Sequence, residues 1–312
     1  MNALITVILP AGRAAIELSL FVLLPIMVVM LSIMRMLEAR GVMDWLVVRL
    51  APLLRPFGLT GLGVFAALQV NFVSFAAPLA TLSMMESRGA SDRHLAAAFA
   101  MVLAMAQANA TFPMAALGLH VGPTLAWSLV GGLAAAAATT YVFGRRLSDA
   151  EHVLDETLRH PVAEDAKGVL DVINRAGAEA FKIAVGAIPM LVLALVAITA
   201  LRQMGALDML TRVLGPLLAL AGIDPVVILP SFTKYLAGGT AMLGVVDEQV
   251  RAKVLSESVL NAAAGFLIHP MDIPGVAVLM SAGRRVAAVW KPACLGAAVG
   301  IAIRTAGHLL AG

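Results

Sequence analysis

The chain has one cysteine, Cys294, in 312 residues. That excludes an intrachain disulfide and a metal–thiolate cluster. Charge is scarce too: 13% of the residues are Asp, Glu, Lys or Arg, against roughly 25% in a soluble domain. No GxxxxGK[ST] stretch occurs, so the chain carries no phosphate-cradling loop and any transport must be driven by a gradient or by another protein. The N-terminus lacks a basic n-region, and the first long apolar run starts only after Arg13 and Glu17, unlike a cleaved signal peptide. No Ser/His/Asp triad or pair of catalytic carboxylates stands out in the apolar part, so the expectation is that the chain is not an enzyme. The net charge of +3 mostly reports loop arginines, and no nucleic-acid partner is inferred from it.

What is abundant is apolar. Hydrophobic residues make up 61% of the chain, and the mean hydropathy is +0.93. Several runs exceed the roughly 18 apolar residues that cross a bilayer. They are continuous and do not alternate, which predicts an all-α integral membrane protein in place of a β-barrel. The expected setting is a bacterial-type inner (cytoplasmic) membrane, crossed several times, with the lipid bilayer itself as a partner.

Pro25, Leu37, Gly41, Asp44, Pro52, Leu53, Leu54 and Gly58 recur as Pro189, Leu201, Gly205, Asp208, Pro216, Leu217, Leu218 and Gly222, every pair 164 positions apart. Pro113 pairs with Pro274 at a separation of 161, so the second half carries a small deletion. This reads as an internal repeat, a common plan in secondary transporters. It divides the chain into a membrane repeat at 1–146, a charged linker at 147–174 and a second membrane repeat at 175–312. Spans are expected at 14–38, 91–119, 122–143, 176–201, 255–282 and 287–310. Interfacial helices are expected at 41–57, N-capped by Asp44, and at 206–221. Ser91-Asp92 suits a helix start.

Two further segments, 59–90 and 225–250, either cross or turn back as helical hairpins. If both turn back, the repeats are inverted, and 15 of the 22 Lys and Arg residues face one side and six the other, with Arg304 among the six and Lys234 alone inside. If both cross, the division is 12 against nine. The positive-inside rule prefers the hairpins. The expected topology has three transmembrane helices, an interfacial helix and a re-entrant hairpin in each inverted repeat. The linker is cytoplasmic and both termini are outside.

Polar residues cluster where lipid would leave them unpaired. In the uncharged run Leu59–Met85, Asn71, Ser74 and Thr81 surround Pro78, which breaks the helix and frees N–H and C=O groups. The corresponding later stretch, Ser231–Thr240, holds Ser231, Thr233, Lys234 and the flexible Gly238-Gly239-Thr240. Lys234 is the only basic residue deep in the apolar part, and a buried ammonium needs a partner or water. Asp272 is the natural counter-charge, and His269, one turn away, could relay a proton. The repeat mate of His269–Pro274 is Ala108–Pro113, a neutral break with Gln107, Asn109 and Thr111. Each group has a plain structural explanation as well: Ser and Thr let helices approach, Asn can bond a neighbouring helix, a lysine can snorkel, and a proline kink can satisfy its own carbonyls. Glu257 reads as a dipole-stabilising residue at a helix start. His269, Asp272 and Met271 are a weak donor set for a metal, so no metal or other cofactor is expected beyond a coupling Na⁺ or H⁺.

At these residues the chain resembles the nucleoside-recognition or Gate-domain family of membrane proteins. That family includes relatives of concentrative nucleoside transporters, the Gate segments of ferrous-iron permeases and spore-maturation membrane proteins. The resemblance rests on Asn71–Pro78 followed by Ala-rich Leu95–Pro113, and on Ser256-Glu257-Ser258 leading through Asn261 and Gly265 to His269–Pro274. It implies that Ala76-Ala77-Pro78 is a hairpin tip and that 257–272 supplies part of a solute site. It also implies an ion-coupled secondary transporter of a small polar, nucleoside-like solute, working by alternating access. Family relatives often associate through helices outside the site, which makes a homo-oligomer a natural assembly. Two other readings remain: a non-transporting partner subunit like the spore-maturation proteins, and a metal-ion permease.

Overall fold

The computed structural model describes residues 2–150, 168–220 and 222–311. Helix α1 (Asn2–Glu17) passes through a π-helical turn at Leu18–Leu23 into α2 (Leu24–Ala39). Helix α3 (Val42–Leu54) follows, N-capped at Gly41 in the left-handed conformation. Asp44 therefore lies inside the first turn and is not the N-cap; the turn from α2 into α3 needs a positive φ, which glycine reaches without strain. Next come α4 (Gly61–Phe72) and α5 (Pro78–Ser87), then α6 (Asp92–Ala104), α7 (Ala108–Ala115) and α8 (Val121–Ala138). The second half contains α9 (Val169–Gln203), α10 (Ala206–Leu220), α11 (Ile228–Ala237), α12 (Gly239–Arg251), α13 (Glu257–Leu267), α14 (Ile273–Met280), the short α15 (Arg284–Ala288) and α16 (Trp290–Ala311). Among the described residues there is no strand.

Among the described residues, five helical stretches are long and apolar enough to cross a membrane: Val7–Ala39, Asp92–Ala115, Val121–Phe143, Val169–Leu201 and Trp290–Ala311. The expected span at 255–282 consists of two pieces, α13 and α14, separated by 268–272, overlapping the break expected at His269–Pro274. Helix α4 has 12 residues and α5 has 10, about 18 and 15 Å of helix, so neither arm crosses alone. The arms pack against each other, as do α11 and α12. The expected linker at 147–174 falls largely outside the described residues.

The core is organised around α6. Every residue from Leu95 to Thr111 is buried, and α6 packs against α4, α8 and α16. Its start is fixed by Ser91, whose Oγ accepts from the His94 N–H at 3.2 Å, one of the orphan donors of a helix start. Its alanines allow close neighbours, and so do glycines on α8 and α16. A Cβ on Gly300 would lie 2.2 Å from the Gly131 carbonyl oxygen. Lipid tails are as apolar as leucine, so such close packing, and not apolar burial, is what favours association within the membrane.

Candidate functional site

Four interruptions of helix meet near the middle of the molecule. They are the α4–α5 turn (73–77), the α6–α7 break (105–107), the α11–α12 turn at Gly238, and the α13–α14 break (268–272). Asn109, in the first turn of α7, joins two of the tips. Its Oδ1 accepts from the Phe75 N–H at 3.2 Å, and its Nδ2 reaches Thr240 Oγ1 at 3.4 Å. Beside it Gln107 is almost wholly buried, and its Nε2 has no partner. A Cβ on Gly239 would lie 1.8 Å from that Nε2, so any larger residue at the α12 start would displace the Gln107 amide.

These elements enclose a cavity of about 380 Å³. Ser74, Gln107, Asn109, Thr240 and Asp272 supply its polar wall, together with the backbone of Gly238 and Gly239. Leu23, Met27, Ile183 and Val278 supply apolar wall from α2, α9, α14 and the π-helical turn. Of the residues expected from the sequence, these seven (Ser74, Gln107, Asn109, Gly238, Gly239, Thr240 and Asp272) come together around one space.

The other expected residues stand behind the wall or apart from it. Asn71 is buried among backbone and helix contacts. It donates to the Ala67 carbonyl at 3.1 Å and accepts from Ser128 Oγ at 2.7 Å. Ser128 in turn accepts from the Ala106 N–H at 2.7 Å, inside the α6–α7 break. Thr111 bonds to the carbonyl of Gln107, the residue that precedes α7, and Thr233 to a carbonyl of its own helix. Thr81 donates to Gln69 Oε1 at 2.7 Å, and both line a second cavity of about 420 Å³ on the other side of the α4–α5 tip. Ser231 is half-buried on α11 and lines neither cavity.

Lys234 is completely buried and touches the cavity only through its partner. Its Nζ donates to Asp272 Oδ2 at 3.0 Å and to the Met271 carbonyl at 3.2 Å, and lies 4.7 Å from the Tyr235 ring centre. The other oxygen of Asp272 accepts from the Gly275 N–H at 2.7 Å. One carboxylate thus pairs with the ammonium and caps α14, taking one of the N–H groups that a helix start leaves without an intrahelical partner. His269 is buried, and both of its ring nitrogens meet groups other than Asp272. Its Nδ1 accepts from the Met271 N–H at 3.1 Å, which leaves Nε2 to face the Tyr235 hydroxyl at 3.5 Å. Glu257 lies at the start of α13, where Ser256 provides the cap, and its carboxylate meets His120 Nε2 at 3.1 Å.

Two comparisons describe what this arrangement is similar to. Residues 20–124 match the Gate family model, described as nucleoside recognition. The fold is that of CNTnw, a concentrative nucleoside transporter. An inward-facing, substrate-bound structure of CNTnw aligns over 99% of this chain and 83% of its own, at 16% identity and a TM-score of 0.69. A variant in an outward-facing state aligns over 100% and 84%, at 17% and 0.70. A variant in an intermediate state aligns over 93% and 75%, at 17% and 0.72. At such identities the likeness is one of fold. No match is found among curated proteins.

Sequence reasoning missed two residues that hold the site together. Ser128 sits in an apolar helix, where a serine reads as a packing residue. Arg304 was expected at the membrane face with the outer charges. The structure corrects this: Arg304 is fully buried, and its Nη1 donates to the carbonyls of Ala104 at 2.5 Å and Ile268 at 3.0 Å. Its place inside the apolar stretch Trp290–Ala311 was the available signal. Among the described residues no group of three or more His, Cys, Asp or Glu is arranged to hold a metal ion.

Proposed function

We propose that the chain is a secondary transporter that moves a small, polar, nucleoside-like solute across a membrane. The observation that carries this reading is the cavity itself, where two hairpin tips and two helix breaks meet and Asn109 bridges the tips. Backbone irregularity deep in a membrane protein is tolerated only where it is buried or lines such a space. Both oxygens of Asp272 are engaged, so the wall offers amides and hydroxyls without net charge, opposite apolar side chains. That pairing suits an uncharged ring with hydrogen-bonding edges.

The alternation would run between two inverted repeats, 1–146 and 175–312, and the coupling ion would be Na⁺ or H⁺. The fold's occurrence in inward-facing, intermediate and outward-facing states of CNTnw supports alternating access. In this reading the membrane is a cytoplasmic membrane, the linker is cytoplasmic and both termini are outside. Single cysteines at positions 88 and 120 should then label from opposite sides, and labelling from one side would overturn the orientation.

The test is flux into liposomes, with solutes chosen by thermal shift of the purified protein against nucleosides, amino acids, organic acids and divalent metal salts. Uptake of a nucleoside, strongly reduced in Asn109→Leu, is the expected result. If no compound shifts the melting temperature or enters, the transport reading fails and a partner-subunit role takes its place. Uptake of a divalent metal alone would make the chain a metal permease.

A further inference from the structure

Arg304 is the largest fully buried side chain in the described protein. It sits in α16 and reaches two places far apart in sequence. Ala104 is the last residue of α6, and Ile268 closes α13. Their carbonyls belong to the group that a helix end leaves without an intrahelical partner. A single nitrogen, Nη1, donates to both. Among the described residues, the remaining nitrogens, Nε and Nη2, have no partner, and the two carbonyls are the only groups bonded to this charge. An uncompensated buried guanidinium is costly, whereas a cation at a helix C-terminus meets the negative end of the helix dipole. Here one cation meets two such ends.

The surroundings are shaped for it. A Cβ on Gly131 of α8 would lie 2.2 Å from Arg304 Cγ and 2.6 Å from its Cδ, so the side chain passes through a notch that only glycine leaves open. Immediately beyond Ala104 lies the break that carries Gln107 and leads into Asn109 on α7. Immediately beyond Ile268 lies the break that carries Asp272.

We infer that Arg304 is a positioning residue for the cavity: a tethered cation that fixes the C-terminal ends of α6 and α13 relative to each other and thereby sets the spacing of the two polar walls. It touches no solute. The inference deepens the transport reading above, but the measurement that tests it needs no solute, so its failure is separable from a failure of that reading.

The experiment is amide hydrogen–deuterium exchange on the full chain in lipid nanodiscs, comparing the native protein with Arg304→Met and Arg304→Lys. Losing charge-assisted bonds at both ends should speed exchange by at least about tenfold at 105–111 and 268–276, while α2 and α9 exchange as before. Lysine keeps the charge on a shorter arm and should give an intermediate, equally localised rise. A uniform rise across all helices would reduce Arg304 to general packing and overturn the inference, as would unchanged exchange at both breaks. Should Arg304→Met fail to accumulate, Arg304→Lys decides alone: unchanged exchange at the breaks, or an equal rise everywhere, overturns the inference.

Discussion

At the α6–α7 break the freed backbone is met by neutral groups. Ser128 accepts the Ala106 N–H, Asn71 holds Ser128, and Asn109 turns to the two hairpin tips. At the α13–α14 break the work falls to an ion pair. Asp272 caps α14 with one oxygen and takes the Lys234 ammonium on the other. The gaps in these two helices are thus closed by different chemistry, and the difference has an energetic consequence. A neutral hydrogen bond that is lost leaves one dipole unpaired; a buried ion pair that is split leaves a whole charge. The second break should therefore be the more brittle of the two, and the first the more adaptable.

The largest test of that contrast is Lys234→Ala. With the ammonium gone, Asp272 is left buried without its counter-charge, and splitting a buried pair costs on the order of 3–5 kcal/mol. The expected outcome is a large fall in thermal stability in detergent, or loss of accumulation in the membrane. Removing both charges at once, in Lys234→Met with Asp272→Asn, should regain most of the loss, because the asparagine oxygen can still accept from Gly275. Melting curves for the two variants check this. If Lys234→Ala melts like the native protein, the second break is not held by charge and the contrast collapses.

A milder outcome is expected at the neutral break. Ser128→Ala removes one hydroxyl and leaves both Asn71 Oδ1 and the Ala106 N–H without the partner they have now. The cost is about 1–3 kcal/mol for such buried groups, well below that of Lys234→Ala. The change should also appear as faster amide exchange at Ala106, with little effect at 268–272. Equal losses in the two variants would show that the charge of the pair adds nothing to the hydrogen bonds it makes.

How much of this could be read from the sequence depends on the range of the contact. Lys234 stands out because a lone basic residue in a long apolar stretch must have a partner, and Asp272 is the nearest residue of opposite charge in a comparable setting. The broken helices were legible because proline and glycine act on their own backbone, as Gly238 and Pro274 do. The position of Arg304 was not. Near the end of the last apolar helix, an arginine is compatible with reaching the surface. What holds it instead are carbonyls 200 and 36 residues away in sequence, and a backbone carbonyl leaves no mark in the residue code. Asn71 illustrates the converse. Its type and its place beside a break suggested a solute ligand, but the structure spends its amide on Ala67 and Ser128, one layer behind the cavity.

The smallest effect concerns three threonines that the sequence could not separate. The hydroxyls of Thr111 and Thr233 donate to carbonyls four residues back, Gln107 and Leu229, each at 2.9 Å. Both carbonyls lose little when the hydroxyl is removed, because the Gln107 carbonyl also accepts the Ala110 and Thr111 N–H groups and Leu229 sits in α11, and valine keeps the branched shape. Thr233→Val should therefore change stability by less than about 1 kcal/mol and leave solute uptake as it was. Thr240 is different, because its hydroxyl faces the cavity and meets the Asn109 amide across the gap between the halves. Thr240→Val should likewise cost little stability, since the residue is only partly buried, but it strips an acceptor from the amide that joins the tips. Uptake in Thr240→Val should fall while its melting temperature stays close to that of Thr233→Val. Equal uptake in the two variants would mean that the Asn109–Thr240 contact is not part of the path the solute takes.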